Sequence, residues 1–103
     1  MNFRKVFFER RELERLLRVY GAQVAAGEWR DYALDALDDR ALFSVYRRAA
    51  ELPLFQIEKR PANARRQGAW CVRGSDGRVL KRGHELDGVL AVIEPKRFRV
   101  VSE

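Results

Sequence analysis

Between Ala69 and Arg82 the chain reads AWCVRGSDGRVLKR. Two runs rich in β-forming residues, Ala69–Arg73 and Arg78–Arg82, flank Gly74-Ser75-Asp76-Gly77. Gly and Asp tolerate the positive φ that a tight turn needs, so this stretch predicts a β-hairpin. Two more strand signals precede it. Ala41–Arg48 (ALFSVYRR) is rich in β-formers, and Leu54–Lys59 (LFQIEK) alternates, with Phe55 and Ile57 on one side. Pro53 and Pro61 bracket the second run, as prolines do at strand ends. Glu28–Asp39 (EWRDYALDALDD) fits two templates. Trp29, Tyr32, Ala33, Ala36 and Leu37 suit a helical face, and Tyr32, Leu34 and Ala36 suit a strand face. Asp38-Asp39 can close a tight turn into the next run, which favours the strand. Phe3–Phe8 reads as a further short strand, and Phe98–Val101 as a last strand or a docked tail.

Helical periodicity appears twice. In Glu9–Gly27, Leu13, Leu16, Leu17, Tyr20 and Val24 recur on one face, and Glu14 lies four residues before Arg18. Gly27 supplies a stop. Gly21 is unfavourable inside a helix by about 1 kcal/mol relative to alanine, and marks a close packing contact or a weak point. In Gly83–Glu94, Leu86, Val89, Leu90 and Ile93 form the apolar face, with Pro95 just past its end. The expected fold is α+β: a mostly antiparallel β-meander of four to five strands, with an N-terminal and a C-terminal helix packed on one face. The uncovered face would display Arg48, Lys59, Arg73 and Lys81, or their neighbours.

At 103 residues the chain suits a single domain spanning 1–103. Hydrophobic residues at 47% and charged residues at 35% allow both a core and a solvated surface. Cys71 is the only cysteine, so there is no internal disulfide and no zinc pattern built on cysteines. No run is apolar enough for a signal peptide or a bilayer span. These features predict a soluble cytoplasmic protein with no membrane partner.

Charge is uneven. Arg40–Arg82 carries eleven basic side chains against three acidic ones, a net of +8, whereas Glu28–Asp39 carries one against five, a net of −4. The densest cluster is EKRPANARRQG, with Lys59, Arg60, Arg65 and Arg66 around a short loop. Such asymmetry favours an anionic partner. Arg outnumbers Lys 17 to 4. The guanidinium fork matches phosphate and carboxylate, and a GC-rich coding bias gives the same ratio.

Chemistry is harder to find. Cys71 and His84 would lie about 7 to 13 Å apart along a strand, too far for a nucleophile–base dyad. Asp31 and Asp35 would share a strand face, and an acid/base or hard-metal site would need at least two of Asp31, Asp35, Asp38 and Asp39 to converge. A solvated acidic edge, or an intramolecular partner for the arginines, is the favoured explanation of them. The hairpin glycines match no phosphate-cradling loop. Basic residues do interleave with aromatics: Phe43, Tyr46, Arg47, Arg48, Phe55, Lys59, Arg60, Arg65, Arg66, Trp70 and Arg73. Sheets of that composition bind single strands by stacking and phosphate contacts, although aromatics on strands more often form core.

The segments AAGEWRDYA (Ala25–Ala33), FSVYRRA (Phe43–Ala49), EKRP…ARRQGA (Glu58–Ala69) and LKRGHEL (Leu80–Leu86) carry a resemblance that runs from about Val6 to Arg99. There the chain resembles an uncharacterised alphaproteobacterial family, domain-of-unknown-function family 2794. The resemblance implies a bacterial cytoplasmic protein and no activity, cofactor or catalytic residue.

The sequence thus points to a small binding module, leaning away from an enzyme, with no cofactor or metal. Its candidate surface is Lys59, Arg60, Arg65 and Arg66, extended by Arg47, Arg48, Lys81 and Arg82, with Trp70 or Tyr46 as a stacking platform. The partner is nucleic acid or an acidic protein, the latter making the chain an adaptor or regulatory protein. Homo-oligomer formation stays open, with an edge strand near Ala33–Leu37 as one route.

Overall fold

The computed structural model describes residues 5–48 and 52–95. A helix α1 (Arg10–Ala25) is followed by strands β1 (Asp31–Ala36), β2 (Ala41–Tyr46), β3 (Phe55–Lys59), β4 (Trp70–Gly74) and β5 (Val79–Gly83), then a short helix α2 (Leu86–Leu90). The strands form one five-stranded sheet in the order β1-β2-β3-β4-β5, every pair antiparallel. This is the expected α+β meander with a helix at each end of the chain.

Pairing resolves the ambiguous acidic segment as strand. The Leu37 amide donates to the Arg40 carbonyl at 2.8 Å, so Asp38-Asp39 forms the two-residue turn into β2. The Gly74–Gly77 turn closes β4 onto β5. The Gly77 amide donates to the Gly74 carbonyl at 3.0 Å, and Gly77 takes φ +84°, which a side chain would resist. The register then shifts between Val72 and Arg73, so that Leu80 is passed over.

Side-chain alternation sorts the sheet into two faces. Phe43 and Val45, Ile57, Trp70 and Val72 point to one face and meet Leu16 and Val19 of α1 and Val89 and Leu90 of α2 in a single apolar cluster. Arg15 ties the helices together, its guanidinium bridging Asp87 at 2.7 Å and Glu94 at 2.6 Å. The opposite face carries Ser44, Gln56, Glu58, Cys71, Arg73 and Arg82 in register across the strands.

Some elements differ from expectation. Residues 5–9 form no strand; the Val6 amide makes one hydrogen bond to the Leu37 carbonyl at 2.8 Å. Residues 3–4 and Phe98–Val101 lie outside the described residues. The second helix is shorter than Gly83–Glu94, because Gly83 still pairs with Trp70 as the last residue of β5. Past Leu90 the backbone continues in turns, with the Ile93 and Glu94 amides both donating to the Leu90 carbonyl. Arg73 does lie on the uncovered face. Lys59 and Lys81 take the opposite parity, aligned with Trp70 and Val72, so their neighbours Arg60 and Arg82 face outward in their place.

Candidate functional site

The basic loop between β3 and β4 is an ordered structure. Pro61–Asn63 is a single 3-10 turn, where the fixed φ of Pro61 suits the first helical position. The Asn63 carbonyl then accepts the amides of Arg66, Gln67 and Gly68 at 3.0, 3.2 and 3.0 Å. These bonds hold the loop backbone from within, and the Arg65 and Arg66 side chains are left exposed. Gly68 is buried at φ +101°, and a Cβ there would fall on the Gly83 carbonyl and the His84 amide. This close approach packs the loop against the end of β5. It brings Arg65 and Arg66 to the same end of the sheet as Lys81 and Arg82, with His84 exposed beside them. Arg65, Arg66, Lys81 and Arg82 form no ion pair among the described residues.

The other residues of the basic cluster are held in the fold. The Lys59 ammonium donates to the Glu12 carboxylate at 2.7 Å and the Phe7 carbonyl at 3.0 Å, and so anchors the start of α1. Glu12 in turn accepts the Glu9 amide at 2.7 Å at the helix N-terminus. Arg60 donates to Glu58 at 2.9 Å and to Asp39 at 2.7 Å. Arg73 reaches the second oxygen of Glu58 at 3.3 Å. Glu58 is only 3% exposed, so these arginines compensate a carboxylate removed from water. Sequence reading missed Glu58 as the hub of this network; its place beside Ile57 in an alternating strand was the available signal.

The remaining candidates lie elsewhere. Arg47 and Arg48 follow β2 at the opposite end of the sheet from Arg65 and Arg66, and Arg47 pairs with Glu28 at 3.3 Å. Trp70 is 6% exposed and stacks on Phe8 with ring centroids 6.2 Å apart. Lys59 sits over the same ring, 6.0 Å from its centroid. Phe43 belongs to the core and Phe55 packs against it. Tyr46 is half-buried at the far end of β2. Trp70 and Tyr46 therefore form no exposed stacking platform beside Arg65 and Arg66.

Cys71 aligns with Arg82, which places His84 two residues further, about 7 Å along the strand. The thiol is buried, and burial raises its pKa against the lowering effect of Arg82 and Arg73. Asp31, Asp35 and Asp38 are exposed, and Asp39 is engaged by Arg40 and Arg60. Asp31 and Asp35, four residues apart on one strand, are separated by about 13 Å. No cluster of three metal-ligating side chains occurs among the described residues. No helix among them is long and apolar enough to cross a membrane.

A family model described as "Protein of unknown function (DUF2794)" matches residues 6–90, which covers the helix, the whole sheet and the basic corner. The chain belongs to the DUF2794 family. No curated protein and no solved structure matches it. The DUF2794 match spans every residue of the corner, from Lys59 to His84, so the corner is part of the family's domain.

Proposed function

We propose that this DUF2794 protein is a non-catalytic binding module that takes an anionic partner, nucleic acid first among them, at the basic corner. The observation that carries the reading is the Gly68–Gly83 approach, which gathers Arg65, Arg66, Lys81 and Arg82 around one end of the sheet. These side chains need not abandon internal ion pairs to meet phosphates, unlike Lys59 and Arg60. Neither candidate stacking residue accompanies them, since Trp70 is buried and Tyr46 lies at the other end. Recognition then works through phosphate contacts, and base stacking contributes little, so the module reads charge and shape ahead of sequence. A cytoplasmic setting fits a partner of this kind.

A second reading has its own support. Val79 and Leu80 are exposed on β5 next to Lys81 and Arg82. Apolar side chains beside basic ones suit an acidic protein surface, where the apolar pair anchors and the cations steer.

Fluorescence anisotropy with mixed-sequence single- and double-stranded DNA and RNA, across a salt series, separates the two. The nucleic-acid reading predicts affinity that falls steeply with salt. In a variant with Arg65 and Arg66 both changed to alanine, the log–log salt slope should become shallower by roughly 1 to 2. Absence of binding at low salt by the folded protein would reject that reading and leave the acidic protein partner.

A further inference from the structure

We propose that β1 is a dimerisation edge, at which two copies of the chain pair antiparallel about a two-fold axis at Leu34 and join their sheets into one. β1 is an outer strand of the sheet. The Leu37 amide donates to the Arg40 carbonyl, so Leu37 and Arg40 form a hydrogen-bonded pair. Antiparallel ladders alternate, so Asp31, Ala33 and Asp35 turn their main-chain groups toward β2, and Tyr32, Leu34 and Ala36 turn theirs outward. The same three residues project side chains on the helix side of the sheet, where Tyr32 and Leu34 are 42% and 45% exposed. Phe7, 65% exposed, lines a depression of about 300 Å³ with Leu13, Leu34 and Ala36. β1 has no proline, no lysine and no register shift to guard it, and its two charges, Asp31 and Asp35, lie on the face away from the helices. The other edge, β5, carries Lys81, Arg82 and the shift at Val72/Arg73.

Charge selects the register. Pairing about Ala33 sets Asp31 opposite the second copy's Asp35, and pairing about Asp35 sets that residue opposite itself; both oppose like charges. Pairing about Leu34 places Leu34 against Leu34, Tyr32 against Ala36, and Asp35 against Ala33. The outward main-chain groups of Tyr32, Leu34 and Ala36 then all find partners. The two Asp35 side chains remain diagonal neighbours, about 7–8 Å apart, so salt that screens them tightens the dimer. Phosphate binding at the basic corner has the opposite salt dependence.

Analytical ultracentrifugation of the full chain over a concentration series tests this. The expected mass is twice the 12.0 kDa of one chain. Leu34→Arg should restore the single-chain mass with an unchanged circular dichroism spectrum, because that side chain is half exposed, and Leu80→Arg on the other edge should leave the dimer intact. The register is read by cysteine. In a hydrogen-bonded pair the Cα atoms stand about 5.5 Å apart, within disulfide reach. Leu34→Cys should therefore cross-link on oxidation and Asp35→Cys should not. A single-chain mass up to millimolar concentration, open-ended assembly, or a dimer broken by Leu80→Arg but not by Leu34→Arg would overturn the proposal.

Discussion

Two glycines with positive φ separate backbone strain from packing. Gly77, in the β4–β5 turn, has nothing within 4 Å of a built Cβ, whereas Gly68 has the Gly83 carbonyl there. Gly77→Ala should cost about 1 kcal/mol, the expense of the left-handed conformation alone. Gly68→Ala should cost about 3 kcal/mol and displace the basic loop, since backbone, not a flexible side chain, stands in the way. Urea denaturation of both variants checks the order; equal costs would remove the close approach as the loop's anchor. Asp39 offers a pH test. Slight desolvation would raise its pKa, but hydrogen bonds from Arg60 and Arg40 outweigh it and hold the carboxyl below its usual value. A depressed pKa stabilises the fold above the unfolded value, and that contribution disappears as pH falls through the folded value. Asp39→Asn should therefore flatten part of the loss of stability on acidification, measured by denaturation midpoints across the acid range. At this scale the sequence revealed the charges but not their pairing. Arg60 and Arg65 look alike in EKRPANARRQG, yet only Arg60 meets Asp39, 21 residues earlier in the chain, because β2–β3 pairing aligns Ala41 with Lys59.

Among the elements, α1 and the β4–β5 hairpin were the most legible, because each rests on local periodicity or turn chemistry. β1 was not, since its apolar residues satisfy both helical and strand spacing and only pairing with β2 decides. The length of α2 was also hidden. His84 and Glu85 have no helical partner until β5 ends, and β5 ends where Gly83 meets Trp70 on another strand. Gly21 shows how structure settles an open choice. A Cβ at Gly21 meets nothing within 4 Å, so the glycine marks no packing contact. Gly21→Ala should stabilise the protein by up to about 1 kcal/mol, seen as a raised thermal midpoint. A destabilised variant would show that the glycine serves a contact absent from this arrangement.

For the whole molecule, the sheet divides the labour. One face holds the core under α1 and α2, and the other is spanned by the Glu58 network with Arg60 and Arg73. The two proposed surfaces fall at the ends and edges: the basic corner at Arg65, Arg66, Lys81 and Arg82, and the outer strand β1. The candidate surface read from sequence splits accordingly, since Arg47 and Arg48 lie at the far end and Lys59 serves the helix start. Composition exposes net charge but not which end of a sheet collects it, because that depends on how a loop folds back. The measurement that tests the corner most directly is a nitrogen–proton NMR titration of the labelled protein with a short mixed-sequence RNA at low salt. Amide shifts concentrated at Arg65–Gly68 and Lys81–His84, and reversed by added salt, are the predicted result. Shifts centred on Arg47 and Arg48, or none from the folded protein, would contradict it.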